Sequence, residues 1–174
     1  MKLEPVQTAD LARVADLVNA AYRGLGATPG WTHEAEALEG RRTTADMLQS
    51  DIAAKPAAHL LVHREGGTGE LLACVWLEPY APTGWYLGML SIRPDRQNEK
   101  LGRRLLDAAH DFVAARGAEV VRIHVINIRD SLIDWYGRRG YVRTGEEPPF
   151  PYGDNRFGAP LRGDMRFVVM QKAL

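Results

Sequence analysis

The sequence predicts an α/β (α+β) fold, a mixed central sheet with helices on both of its faces. Three observations carry that prediction. Helical and strand spacings of apolar residues alternate in the order β-α-α-β-β-β-α-β-α-β-β. Two adjacent strand runs flank a glycine-rich turn, which marks a hairpin. The 174 residues contain no internal repeat and no low-complexity tract, so they read as one domain over residues 1–174.

Thr8 and Asp10 open a first helix in which Leu11, Val14, Leu17, Val18, Ala21 and Tyr22 recur at helical spacing, and Gly24 closes it. From Arg23 to Arg42 the chain is aperiodic and punctuated by glycine, with Trp31 in its middle. Such a stretch suits a lid or binding loop. A short helix follows, capped by Thr43 or Thr44 and ended before Pro56. His59–Arg64 and Leu71–Leu77 are strands joined by Glu65-Gly66-Gly67-Thr68-Gly69, and Trp85–Ile92 is a third. A long amphipathic helix runs from about Leu101 to Arg116, stopped by Gly117. Glu119–Asn127 is β-prone. Asp130 caps a short helix through Arg139, where Gly140 and Tyr141 form a glycine stop with its apolar follower. Tyr141–Thr144 and Met165–Met170 are the last strands.

Twenty-two basic residues balance twenty-two acidic ones. That balance argues against a nucleic-acid coat, which needs a positive excess. A single cysteine, Cys74, gives no disulfide framework and reads as buried filler within Leu71-Leu72-Ala73-Cys74-Val75-Trp76. No apolar run approaches a membrane span, and the N-terminus has no signal core. A cytoplasmic protein with neither a membrane nor a nucleic-acid partner is expected.

Between the strand ending at Ile92 and the helix at Leu101 lies Arg93-Pro94-Asp95-Arg96-Gln97-Asn98-Glu99-Lys100. Helix N-termini attract anions, because their N–H groups lack partners there. Cations outnumber acids locally, which suits a phosphorylated small ligand. A solvated helix start is the alternative, and composition alone does not separate the two.

At these residues the chain resembles the GCN5-related N-acetyltransferases, whose acetyl-CoA motif is a strand ending V-x-P followed by Q/R-x-x-G-x-G/A. Ile92-Arg93-Pro94 and Gln97-Asn98-Glu99-Lys100-Leu101-Gly102 fill it, with Lys100 where the first glycine belongs. Either Lys100 stays right-handed, or its ammonium compensates on the phosphates. Downstream, Trp135-Tyr136-Gly137-Arg138-Arg139-Gly140-Tyr141 resembles the family's short helix and following strand. The family's asparagine seven residues before the tyrosine is Arg129 here. The resemblance implies a mostly antiparallel sheet of about seven strands and acetyl-CoA as cosubstrate, with no metal.

It also implies site residues. The pantetheine arm would pair with Leu90, Ser91 and Ile92. Pyrophosphate would rest on the backbone amides of Gln97, Asn98, Glu99, Lys100, Leu101, Gly102 and Arg103, with Arg96 beside them and Arg129 reaching phosphates or carbonyls. Tyr136 would protonate the leaving thiolate, although its spacing alone favours a packing aromatic. The strand before the motif has no glutamate, so the base is open between Glu78, His124, a water chain and an already neutral amine, and a lone strand histidine is more often structural. Trp31 and Glu34 are the expected acceptor contacts, Glu34 for a cationic amine, with Arg41 or Arg42 for a carboxylate. Solvation of a helix–loop junction explains the same charges.

The implied function is N-acetylation of the primary amine of a small or amino-acid-like molecule, with a homodimer left open. Two alternatives are a protein N-terminal or lysine acetyltransferase and a non-catalytic acyl-CoA sensor. A closed, aromatic-lined pocket would favour the small acceptor, and a shallow acidic groove the protein one.

Overall fold

A computed structural model describes residues 1–25, 33–66 and 68–174, apart from the side chains of residues 98 and 155. In chain order the elements are β1 (Glu4–Pro5), α1 (Leu11–Arg23), β2 (Leu38–Glu39), α2 (Ala45–Ala54), β3 (His59–Arg64), β4 (Leu71–Pro79) and β5 (Gly84–Ile92). Next come α3 (Leu101–Ala114), β6 (Val120–Ile126), α4 (Asp130–Gly137), β7 (Val142–Arg143), β8 (Ala159–Pro160) and β9 (Phe167–Ala173). The main sheet has seven strands in the order β1-β3-β4-β5-β6-β9-β7, and β2 pairs with β8 in a small ribbon. Every pairing in the main sheet is antiparallel except β5 with β6.

Strand alternation sorts the core into two layers. On β3 and β4, Leu60, Val62, Cys74 and Trp76 turn toward Leu11, Val14, Leu17 and Val18 of α1 and Leu48 of α2. Their neighbours Leu61, Ala73, Val75 and Leu77 turn the other way, under Leu105, Leu106, Ala109 and Val113 of α3 and Ile133 of α4. This period of two is what a sheet covered on both faces requires. Cys74 is fully buried, and burial raises its thiol to about 12, so the filler reading holds.

The expected glycine stop recurs, but of the expected caps only Thr44 forms: Thr8 lies within a 3-10 turn, and Asp130 is the first residue of α4 rather than its cap. Gly24 ends α1 in the left-handed region, and the Thr44 hydroxyl accepts from Met47 N–H at 3.2 Å. Asp10 lies at the start of α1 but makes no side-chain cap; Arg64 holds its carboxylate instead. In the described part of the aperiodic segment, Glu34 N–H donates to Tyr22 O at 2.7 Å, and β2 follows. Gly158, at φ +85°, lies so close to β2 that a Cβ would come within 2.4 Å of Glu39 O, so no larger residue fits there.

Candidate active site

A bulge opens the site. Cys74 pairs with Ser91 and Trp76 with Gly88, which leaves Met89 and Leu90 together opposite Val75. Met89 takes φ 47°, and the extra residue bends β5 away from its neighbour. The parallel ladder to β6 accordingly covers only Gly84–Tyr86, while β6 continues on β9 alone to Ile126. Beyond Tyr86 the two strands part, and Leu90 and Ile92 line the resulting cleft of about 380 Å³.

The cleft runs to the start of α3. A 3-10 turn over Pro94–Glu99 ends at Lys100, which adopts φ 58° and ψ 16°. Lys100 is therefore left-handed, which removes the right-handed one of the two alternatives left open by the sequence. The fold accepts a cost of about 1–2 kcal/mol there. Gln97, Lys100, Gly102 and Arg103 face the cleft, with Trp135 and Arg139 opposite. A Cβ on Gly102 would lie 3.6 Å from the Trp135 ring, so a hydrogen at this position keeps the floor open. The Arg139 guanidinium stacks on Trp135 at 3.6 Å, and its buried Nε has no partner among the described residues. Burial, then the charges of Arg138 and Arg103, lower its pKa. A crowded, incompletely satisfied set of cations over a bare glycine floor is suited to a pyrophosphate.

Several other residues expected at the cofactor turn their side chains away from the cleft. Arg96 is tied to Glu99 and, at 3.0 Å, to Glu65, so its charge is turned from the cleft to the β3–β4 hairpin and Glu99 is occupied by it. Leu101 is buried in the core beneath α3. The Ser91 hydroxyl is buried and donates to Met89 O at 3.1 Å, which leaves only its backbone near the cleft. The Asn98 side chain lies outside the described residues. Asn127, two residues before Arg129, bridges Arg166 N–H and Asp164 O at the end of β9.

A second, smaller cavity of about 170 Å³ lies on the far side of Leu90. Tyr22, Leu90, Arg129, Leu132 and Tyr136 line both spaces, so the two meet there. Tyr136 is buried on α4 and held edge-on by Trp135 at 4.9 Å and Tyr141 at 5.3 Å. Its hydroxyl makes no hydrogen bond among the described residues. Burial, then neighbouring tyrosines, raise its pKa well above 10, so the phenol stays protonated and able to donate.

Tyr86, His124, Phe157 and Phe167 wall the smaller cavity, and Glu34, Arg42 and Arg129 supply its charged groups. Glu34 is not the free anion expected for a cationic amine. Its Oε2 is bonded by buried Arg23, and its Oε1 accepts from Arg129 Nη1 at 2.9 Å. Arg23 also donates to Gly40 O at 3.2 Å and Phe157 O at 2.7 Å, joining α1 to both flanking loops. Glu34 is thus the counter-ion of a buried cluster, and removing one partner from such a cluster costs about 3–5 kcal/mol. Trp31 lies outside the described residues.

The two candidate bases separate cleanly. Glu78 is bonded to Lys55 at 2.8 Å and to Trp76 Nε1 at 3.1 Å, and it does not line the cavity. His124 does line it, packed against Tyr86 at 5.3 Å and Phe167 at 5.9 Å. Partial burial of the ring, then the Arg122 charge, lower its pKa from the ordinary imidazole value, which favours the neutral, proton-accepting form. Tyr22, Tyr86, Trp135 and Arg139 were not singled out as contacts from sequence. The repeated arginines after Tyr136 were the signal for Arg139; the tyrosines carried none, being indistinguishable from core aromatics.

Among the described residues no acidic, histidine or cysteine group could hold a metal, and no helix is long and apolar enough to cross a membrane.

Comparison with known proteins agrees with this geometry. The mycothiol acetyltransferase of Beutenbergia cavernae is 42% identical over 71 residues, 40% of this chain but only 23% of that protein's length. The crystal structure of Ard1 from Thermoplasma volcanium superposes with a TM-score of 0.70 at 14% identity, covering 99% of this chain and 97% of that one. A GNAT family acetyltransferase from Elizabethkingia anophelis with acetyl-CoA bound gives a TM-score of 0.62 at 15% identity, over 73% and 82% of the two chains. The profile of the Acetyltransferase (GNAT) family matches residues 27–141, the span that holds the bulge, the Lys100 turn and Tyr136, and the chain belongs to that family.

Proposed function

We propose that the protein is an acetyl-CoA-dependent N-acetyltransferase whose acceptor is the primary amine of a small molecule. The observation that carries this reading is the meeting of the two cavities at Leu90 and Tyr136, one cavity rimmed by cations and the other smaller and walled by aromatic rings. Bound acetyl-CoA would supply an activated thioester. Gln97, Lys100, Arg103 and Arg139 would hold its phosphates around the Gly102 floor, and the splayed edge of β5 would take the arm as an added strand.

The Leu90 N–H, within the bulge, would donate to the thioester carbonyl, where negative charge develops. His124 would accept the proton that the attacking amine sheds, and Tyr136 would give its own to the departing sulfur. The small volume, about 170 Å³, and the aromatic walls favour a small acceptor over a polypeptide, which needs a longer groove.

Purified protein incubated with acetyl-CoA and a library of primary amines tests the reading. It should release CoA thiol with at least one amine, with an N-acetyl product detected by mass spectrometry in equal amount. Acetyl-CoA binding without product from any amine would instead support the sensor alternative.

A further inference from the structure

The steps above leave the charge of Arg42 unused. Its backbone N–H donates to Asn19 Oδ1 at 2.6 Å, which fixes the residue after β2. Its guanidinium lies over the rings of Tyr22, at 5.7 Å, and Phe157, at 5.2 Å, in the wall of the smaller cavity. Among the described residues that guanidinium has no carboxylate or carbonyl partner. Residues 26–32, Gly-Ala-Thr-Pro-Gly-Trp-Thr, include no acid that might neutralise it. Glu34 is the one acidic side chain lining the cavity, and Arg23 and Arg129 already hold both of its oxygens. Arg42 therefore adds a third guanidinium to a cavity wall whose one carboxylate, among the described residues, is already held by two others.

We propose that Arg42 binds a carboxylate of the acceptor, so that the acceptor is an amine that also carries a carboxylate, as an amino acid does. The proposal rests on the acyl-transfer reading and adds the substrate's chemical class to it. Stacking on aromatic faces engages the plane of a guanidinium and leaves its N–H edge for an oxyanion, which a planar carboxylate matches with two parallel bonds. The same surplus of positive charge disfavours an ammonium, so it raises the fraction of neutral, nucleophilic amine. A polyamine, which brings further ammonium groups into that field, is selected against.

Calorimetric titrations into protein saturated with CoA, which cannot turn over, test the proposal separately from catalysis. The probes are the L-amino acids, ω-amino acids and aminobenzoates, each paired with its own carboxamide, and spermidine. At least one carboxylate should bind about 10- to 100-fold more tightly than its carboxamide, the range of charge-assisted hydrogen bonds, and spermidine should not bind. Arg42→Met, which keeps an unbranched stem against Phe157, should erase that difference, and Arg42→Lys should restore part of it. If no carboxylate exceeds its carboxamide by more than twofold in the wild-type protein, the proposal is overturned, even where amines are acetylated. The same holds if the preference survives in a folded Arg42→Met variant. Carboxylate-selective binding without acetylation of any amine would leave Arg42's role standing and overturn the acyl-transfer reading alone.

Discussion

Tyr136→Phe lowers kcat by about 10²–10⁴-fold, the usual worth of a general acid, and leaves the KM for acetyl-CoA nearly unchanged. The ring remains, so its edge contacts with Trp135 and Tyr141 survive and only the hydroxyl is lost. Burial holds that phenol protonated far above neutral pH, and so it can donate throughout the working range. A better leaving thiol needs less help, so the loss shrinks with acyl donors whose thiol is more acidic. Steady-state kinetics with two such donors checks both parts. Full activity in a variant of reduced thermal stability would make Tyr136 a packing residue.

His124→Gln removes the proton acceptor and costs kcat about 10²–10⁴-fold. The pH profile gives its signature. With its pKa lowered by partial burial and Arg122, His124 favours its neutral, competent form at pH 7, and it loses function as pH falls through that lowered value. The wild-type kcat therefore has an acid limb below pH 6.5, and the variant lacks it. An identical limb in the variant would assign the titration to another group. Glu78, already engaged by Lys55 and Trp76, serves as the control, and Glu78→Gln keeps the limb.

Much of the fold was legible because local signals agreed with one another. Gly24, Thr44, Gly117 and Gly140 end or begin elements as their chemistry requires, and apolar alternation on β3 and β4 sets the two core layers. The site was legible where a motif fixes backbone, as at Ile92, Gln97 and Gly102. It was illegible where charges compensate through space. Nothing local says that Arg96 answers to Glu65, or that Glu34 lies between Arg23 and Arg129, because those partners are 31, 11 and 95 residues away. The bulge was hidden for a similar reason: Met89 has no residue type that announces a positive φ. Lys100 shows the same in reverse, with a side chain kept at a turn that favours glycine.

The central claim is that the cleft between the Lys100 turn and Trp135 holds acetyl-CoA, and calorimetric titration of acetyl-CoA into three proteins tests it most directly. Wild-type protein should bind saturably, more weakly as salt screens Lys100, Arg103 and Arg139. Gly102→Val fills the floor beneath Trp135 and should lose affinity at least several-fold with its fold intact. Lys100→Gly should bind more weakly while melting at a higher temperature, because it relieves the left-handed lysine as it removes an ammonium. Absence of acetyl-CoA binding by the wild-type protein, or wild-type affinity in a folded Gly102→Val variant, would contradict the claim.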